Sequence, residues 1–495
     1  MSASEGESLR MSDVAEQTGL LDRALRRVTS LWRDMAERVV GGEAETIAEQ
    51  MRACLDGRGG EVSARNRAAK LAQAYLALDD EGRLDFLRTL ASFDADEDVV
   101  ARAIERITSA TDLAERAAAR ARLRRVLEPP RVRLLTQFTT IPDGMKFLVE
   151  LRAALMRFRS QDPLLEALEA DLKGLLANWF DVGFLELKRI DWNSPAALLE
   201  KLVRYEAVHR IRTWRDLKNR LDSDRRCYAF FHPRMPDEPL IFVEVALVKG
   251  LAESVQRLLD EKAPVLNPAQ TDTAIFYSIN NCQRGLDGIS FGNFLIKRVV
   301  AVLGAELKNL RAFATLSPIP GFTRWLNRRI AATEGPPLLT EEEAAALRAA
   351  APAALALPPP MEDGADTALA VAETPAQTLA RVLGRRGWQR EEAVAKALEP
   401  ILLRLCAGYL LNEHAANNPK RALDPVAHFH LSNGARVERL NWRGDISEKG
   451  MKESAGLMVN YLYDPARIED YHEDYVGEGK RPAATAIRKL ARGWA

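Results

Sequence analysis

A helical bundle followed by an α/β domain built around a sheet is the fold class this sequence predicts. Three observations carry it. The first third is made of long segments rich in Ala, Leu, Arg and Glu, all good helix formers. The texture changes near Asp181, where short runs of aromatic and β-branched residues begin. Helical patterns then lie between those runs, as in α/β domains. We therefore divide the 495 residues into a helical part, 1–180, and an α/β part, 181–495.

In the first part, Leu21, Leu25, Val28, Trp32, Met35 and Val39 recur in steps of three and four, one face of a helix that Gly41-Gly42 should stop. The stretch 101–127 is predicted as helix up to the breaker Pro129-Pro130. Asp143-Gly144 and Asp162-Pro163 punctuate two further helical segments, MKFLVELRAALMRF and LLEALEADLKGLLANWF. Long segments joined by short breaks suggest an antiparallel bundle. In the second part, strands are predicted at 227–231 (CYAFF), 240–248 (LIFVEVALV), 273–279 (TAIFYSI), 310–316 (LRAFATL), 428–431 (HFHL), 437–442 and 457–463 (LMVNYLY), with a helix at 291–303. Residues 331–380 form an Ala/Pro-rich insert, read as a helix plus a loop.

Composition excludes several function classes. Lys+Arg and Asp+Glu each number 70, a balance unlike that of a dedicated nucleic-acid binder. The cysteines, Cys54, Cys227, Cys282 and Cys406, form no CxxC pair, so neither a zinc knuckle nor a disulfide framework is expected. No apolar run approaches the ~18 residues of a membrane span. The first residues lack a basic-then-apolar signal, and the last are no peroxisomal address, so the cytoplasm is the expected compartment.

Three segments invite chemistry. In QRGLDGISFG, a Gly-rich turn lies between a strand and a helix, where free N–H groups and the helix dipole suit a pyrophosphate. Ser290 is placed to cap that helix, and Lys297 and Arg298 to add phosphate contacts. An ordinary strand-to-helix turn is an equal reading. In LSPIPGF, two prolines fix the backbone just after Ser317, at the end of a strand where function often sits. Taken alone, a rigid turn whose serine caps the next helix is the stronger reading. In HFHLSNG, His428 and His430 lie two apart on an expected strand, hence on one face, with Asn433-Gly434 as a hairpin turn. A metal pair, a general acid or base, and two structural histidines all remain open there. Tyr461 and Tyr463 share a face of the last strand, where core packing with satisfied hydroxyls is the leading reading.

Together these segments resemble the malonyl-CoA decarboxylase family. The resemblance runs from about residue 180 to about residue 463. It rests on TAIFYSI…QRGLDG…FGNFLIKRVV, LSPIPGFTRWL, FHLSNGA and NW…GLMVNY, with RIDWNSPAALLEKL and EAVHRI earlier. It implies a helical bundle for oligomerisation (a dimer or tetramer) and a catalytic domain with the mixed sheet of GNAT acetyltransferases. It implies conversion of malonyl-CoA to acetyl-CoA and carbon dioxide. The family's active serine falls on Ser317 and its active histidine, immediately before Leu-x-Asn-Gly, on His430. The substrate-binding loop falls on Asp287, Gly288, Ile289, Ser290, Phe291, Gly292 and Asn293, and Tyr463 joins the substrate-binding set. Family members can carry glutamate where this chain has Ser290, so no carboxylate role is carried over there. The insert is atypical and receives no role.

The implied chemistry needs little equipment. Loss of carbon dioxide from a malonyl thioester leaves an enolate, which must be stabilised and then protonated on carbon. The thioester is the electron sink, so no cofactor and no metal are expected; the partners expected are an acyl-CoA substrate and further copies of the chain, with neither nucleic acid nor membrane. His430, with the ordinary histidine pKa of ~6.5, is the expected proton donor, and Ser317 the group that orients the malonyl carboxylate or accepts a proton. The alternatives are an acyl-CoA-dependent acetyltransferase of the same fold, a metal-dependent enzyme using His428 and His430, and a non-enzymatic helical scaffold.

Overall fold

The computed structural model describes residues 46–56, 60–289, 294–332, 337–351 and 374–492, together with Trp32. It divides into two compact units that interleave along the chain. The first comprises Met1–Leu217, Tyr228–Phe242 and Ile279–Phe291, and the second Lys218–Cys227, Val243–Ser278 and Gly292–Ala495.

The first unit is mainly helical: α1 (Ile47–Leu55), α2 (Gly60–Ala77), α3 (Asp80–Ala91), α4 (Glu97–Ser109), α5 (Leu113–Val126), α6 (Pro130–Phe138), α7 (Gly144–Phe158) and α8 (Pro163–Trp179). Its strands are β1 (Glu186–Ile190) and parts of β2 (Arg225–His232), β3 (Met235–Val248) and β4 (Thr273–Asn281). Start signals in the sequence set several helix ends. Asp79, Asp96, Asp112 and Asp162 accept backbone N–H groups as N-caps, and Pro163 follows its cap at the first helical position. One predicted helix is corrected: the run 101–127 is two helices, α4 and α5, because Asp112 caps a new start. The core of the bundle gathers on Phe147, whose ring meets Trp32, Tyr75 and Phe138 at centroid distances of 5.5, 5.7 and 4.9 Å. Of the apolar face expected at 21–39, only Trp32 lies within the described residues. It is helical and buried, and its Nε1 donates to the Pro142 carbonyl at 3.0 Å.

The second unit is a mixed sheet flanked by helices. Besides the rest of β2, β3 and β4, it holds α9 (Phe294–Glu306), β5 (Ala312–Thr315), β6 (Ser317–Pro318), α10 (Phe322–Ala331), α11 (Glu392–Asn412), β7 (His414–Ala415), β8 (Asn418–Ala422), α12 (Pro425–Ser432), β9 (Arg436–Asn441), β10 (Met458–Tyr463) and α13 (Ile468–Glu478). Strands β4 and β5 are parallel, with Phe276 opposite Thr315. Strand β10 runs antiparallel to three partners: Leu462 faces Ala314 on β5, Val459 faces Ser317 on β6, and Val459 faces Leu440 on β9. The central strands are buried almost throughout, as their continuous apolar runs require. Ile275, Tyr277, Ala314, Leu316 and Met458 form one packed cluster around them.

Candidate active site

Ser317 stands where the parallel strand β5 gives way to β6. The sequence Ser317-Pro318-Ile319-Pro320-Gly321 cannot continue a regular ladder, since each proline lacks an N–H. The serine keeps a two-residue pairing with β10 and is only 5 % exposed. It does not cap the next helix: Gly321 occupies the N-cap of α10, with no side-chain cap bond. Instead its Oγ donates to Thr315 Oγ1 at 2.8 Å and shares a 3.0 Å hydrogen bond with His430 Nε2.

His430 arrives on a helix, which corrects the strand expected at 428–431. Asp424 accepts the N–H groups of Val426 and Ala427 at 3.0 and 2.9 Å, Pro425 takes the first helical position, and α12 runs from Pro425 to Ser432. Asn433-Gly434 is therefore not a hairpin turn. It ends the helix, with Gly434 in the left-handed region at φ +78°, as C-terminal glycines commonly are. A methyl carbon there would lie 2.0 Å from the Ile468 carbonyl oxygen, so no larger residue fits. Residues two apart on a helix point about 200° from each other, and the two histidines do not share a face. His428 bonds Tyr475 OH at 2.8 Å through Nδ1, while His430 is buried with Ser317. The proposed metal pair thus loses the geometry that suggested it. Among the described residues, no group of three or more His, Cys, Asp or Glu side chains is placed to hold a metal ion.

Strand β10 closes the pocket around the imidazole. Tyr461 and Tyr463 face the same side, as their spacing predicts, and His430 lies between them. The Tyr463 hydroxyl bonds His430 Nδ1 at 2.7 Å, and the Tyr461 ring stacks on the imidazole at 4.5 Å and 25°. Both ring nitrogens are thus engaged, one by a serine and one by a phenol. When Tyr463 donates to Nδ1, the proton of the neutral ring sits on Nε2 and points at Ser317. Burial drives the His430 pKa from 6.5 down to about 3, so the ordinary titration expected for it is corrected. Burial also pushes the Tyr461 and Tyr463 hydroxyls well above the usual tyrosine range. The resting Ser317, His430 and Tyr463 side chains are thus buried and neutral.

The Gly-rich turn belongs to the first unit. Residues Arg284–Leu286 form a single 3₁₀ turn, and Gly288 adopts φ +72°. Asp287 accepts from Asn281 Nδ2 at 2.8 Å through its carboxylate, and Ile289 is buried. Ser290, Phe291, Gly292 and Asn293 lie outside the described residues, as does the capping role expected of Ser290. In the second unit, Lys297 on α9 pairs with Glu469 at 2.7 Å.

Comparison with known proteins decides the family. The profile of the malonyl-CoA decarboxylase C-terminal domain matches residues 183–494, and that of the N-terminal domain residues 93–180. The chain belongs to the malonyl-CoA decarboxylase family. Among its relatives is the mitochondrial malonyl-CoA decarboxylase of Anser anser anser, 36 % identical over 412 residues, covering 81 % of this chain and 78 % of the goose protein. The Rattus norvegicus protein of the same description is 36 % identical over 375 residues, covering 74 % of this chain and 72 % of its own. Crystal structures of malonyl-CoA decarboxylase from Rhodopseudomonas palustris and Agrobacterium vitis superpose with TM-scores of 0.75 and 0.78 at 42 % and 38 % identity. Each covers 90 % of this chain, and 98 % and 99 % of its own.

Within this family member, sequence reasoning missed Thr315 and Asp424. The alternation of β5 hid Thr315, which reads as one more β-branched core residue. Asp424 was legible: Asp followed by Pro is a helix-start signal.

Proposed function

We propose that this chain decarboxylates malonyl-CoA to acetyl-CoA and carbon dioxide, with Ser317 and His430 as the reacting pair. The observation that carries the reading is the 3.0 Å contact between Ser317 Oγ and His430 Nε2, buried beside Tyr463 in a member of this family. As carbon dioxide leaves, the thioester carbonyl becomes an enolate oxyanion. Ser317 orients the malonyl group. His430 delivers the Nε2 proton to the α-carbon while Nδ1 takes the Tyr463 proton, so no imidazolate forms. Nδ1 then returns its proton to Tyr463 as Nε2 is reprotonated from solvent, which restores the starting tautomer, and one proton is consumed for each carbon dioxide released. Burial of these side chains disfavours an ionised carboxylate beside them relative to the transition state, in which its charge is spreading toward the thioester. The thioester accepts the electron pair, so the reaction is read as cofactor-free. We place the sheet domain in the GNAT acetyltransferase class, in keeping with a parallel β4–β5 pair set among antiparallel strands. The CoA moiety is assigned to the turn at 285–292, self-association to the helical part, and the cytoplasm to its working compartment.

The test is a pair of substitutions. Removing a general acid typically slows turnover about 10²–10⁴-fold. His430→Ala and Ser317→Ala should each lose activity on that order while still binding CoA, and His428→Ala should lose far less. Near-normal turnover by His430→Ala would remove the dyad from the mechanism.

A further inference from the structure

We propose that the helical bundle supplies part of the CoA site: Arg152 fixes the backbone of the Gly-rich turn, and Lys173 is the cation that meets a CoA phosphate beside Gly288. The proposal rests on the assignment of CoA to this turn.

The turn is seated directly on α7. A methyl carbon at Gly285 would lie 1.8 Å from the Val149 carbonyl oxygen, so only glycine allows this approach. Beneath the turn, the Arg152 guanidinium donates to the carbonyls of Gly285 at 2.6 Å and Asp287 at 3.0 Å. The same side chain meets Glu169 on α8 through Nε at 3.0 Å and Nη2 at 2.6 Å. Arg152 is 1 % exposed and Glu169 7 %. Removing one partner of such a pair strands a buried charge, and here that charge also holds two carbonyls of the turn. Glu169, which Arg159 also meets at 3.3 Å, offsets the buried Arg152 charge, and the guanidinium is spent on that carboxylate and the two carbonyls, so Arg152 acts by position. It is a positioning residue.

Lys173 lies one turn beyond Glu169 on α8, so both side chains face the same way. A methyl carbon at Gly288 would lie 3.6 Å from Lys173 Nζ. The ammonium therefore stands beside the left-handed glycine, which is exposed. Among the described residues, Lys173 has no ion-pair partner. A charge-assisted hydrogen bond from such a group to a phosphate oxygen is a strong contact.

The experiment uses the full chain and two substrates, malonyl-CoA and malonyl-pantetheine, which lacks the nucleotide phosphates. Lys173→Met should raise KM for malonyl-CoA about 10- to 100-fold, the worth of one charged hydrogen bond. It should leave kcat, the melting temperature and the KM for malonyl-pantetheine as in the parent, and Lys173→Arg should restore most of the affinity. Gly285→Ala, which pushes the turn off α7, should raise KM for both substrates. An equal KM change on the two substrates in Lys173→Met, or none on either, would overturn the role of Lys173. A Gly285→Ala variant that melts lower but keeps its KM would overturn the positioning role. Gly288→Val keeps the failures distinct: if it leaves KM unchanged, the assignment of CoA to the turn falls, and with it the proposal.

Discussion

Burial governs what His430 can do with a proton. With a pKa of about 3 in the folded chain, against about 6.5 unfolded, the ring is neutral at neutral pH. The unfolded chain therefore binds a proton between pH 6.5 and 3 that the folded chain refuses. Stability from this residue is complete above pH 6.5 and drains away as pH falls toward 3. His428 is shifted in the same direction by burial and by the nearby Arg421, so it adds to the same limb. Chemical denaturation across pH 7.5 to 4.5 should show stability falling as pH drops, with a shallower slope in His430→Gln. An unchanged slope would mean that the ring is not buried neutral. Neither the depressed pKa nor the Tyr463 bond was legible in the sequence. Both depend on β10 lying over α12, a contact between residues 33 positions apart.

At the scale of elements, Asp424 ties together the two segments that carry the dyad. One carboxylate oxygen caps α12, which bears His430. The other accepts the Gly321 N–H at 3.4 Å, just past Ser317, and the Tyr409 hydroxyl at 3.3 Å. Losing a cap costs about 0.5–2 kcal/mol. Asp424→Ala should lower the melting temperature and reduce kcat more than it raises KM, as the distance between Ser317 and His430 loosens. Asp424→Asn keeps the cap and should keep most of the turnover. A large KM change with kcat intact would contradict this. The same region marks where reading by pattern stops. The apolar run VAHFHL fits a short strand as well as a short helix, and only the Asp-Pro start and the Gly434 stop separate them. The long strands at 227–231, 240–248, 273–279 and 457–463 were legible because they are buried on both faces. Strand β1 (ELKRI) and strand β8 (NPKRA) are mostly exposed and carry no such signal.

At the scale of the molecule, the sequence shows a change of texture near Asp181, while the compact units thread back and forth across it. Residues Tyr228–Phe242 and Ile279–Phe291 return to the helical unit, and the second return carries the Gly-rich turn. No local pattern announces this, because it is set by contacts such as Arg152 with Gly285, 133 positions apart. Motifs were more informative than periodicity here. LSPIPGF and FHLSNGA pointed to Ser317 and His430 before the fold joined them. The central claim is chemical: one chain and one thioester are sufficient for the reaction. The most direct measurement is mass spectrometry of malonyl-CoA incubated with the purified protein alone, without metal, nucleotide or acyl acceptor. The account predicts acetyl-CoA and carbon dioxide in equal amounts, formed catalytically and retained after chelation. Malonyl-CoA recovered unchanged until an amine acceptor or a metal is added would contradict it.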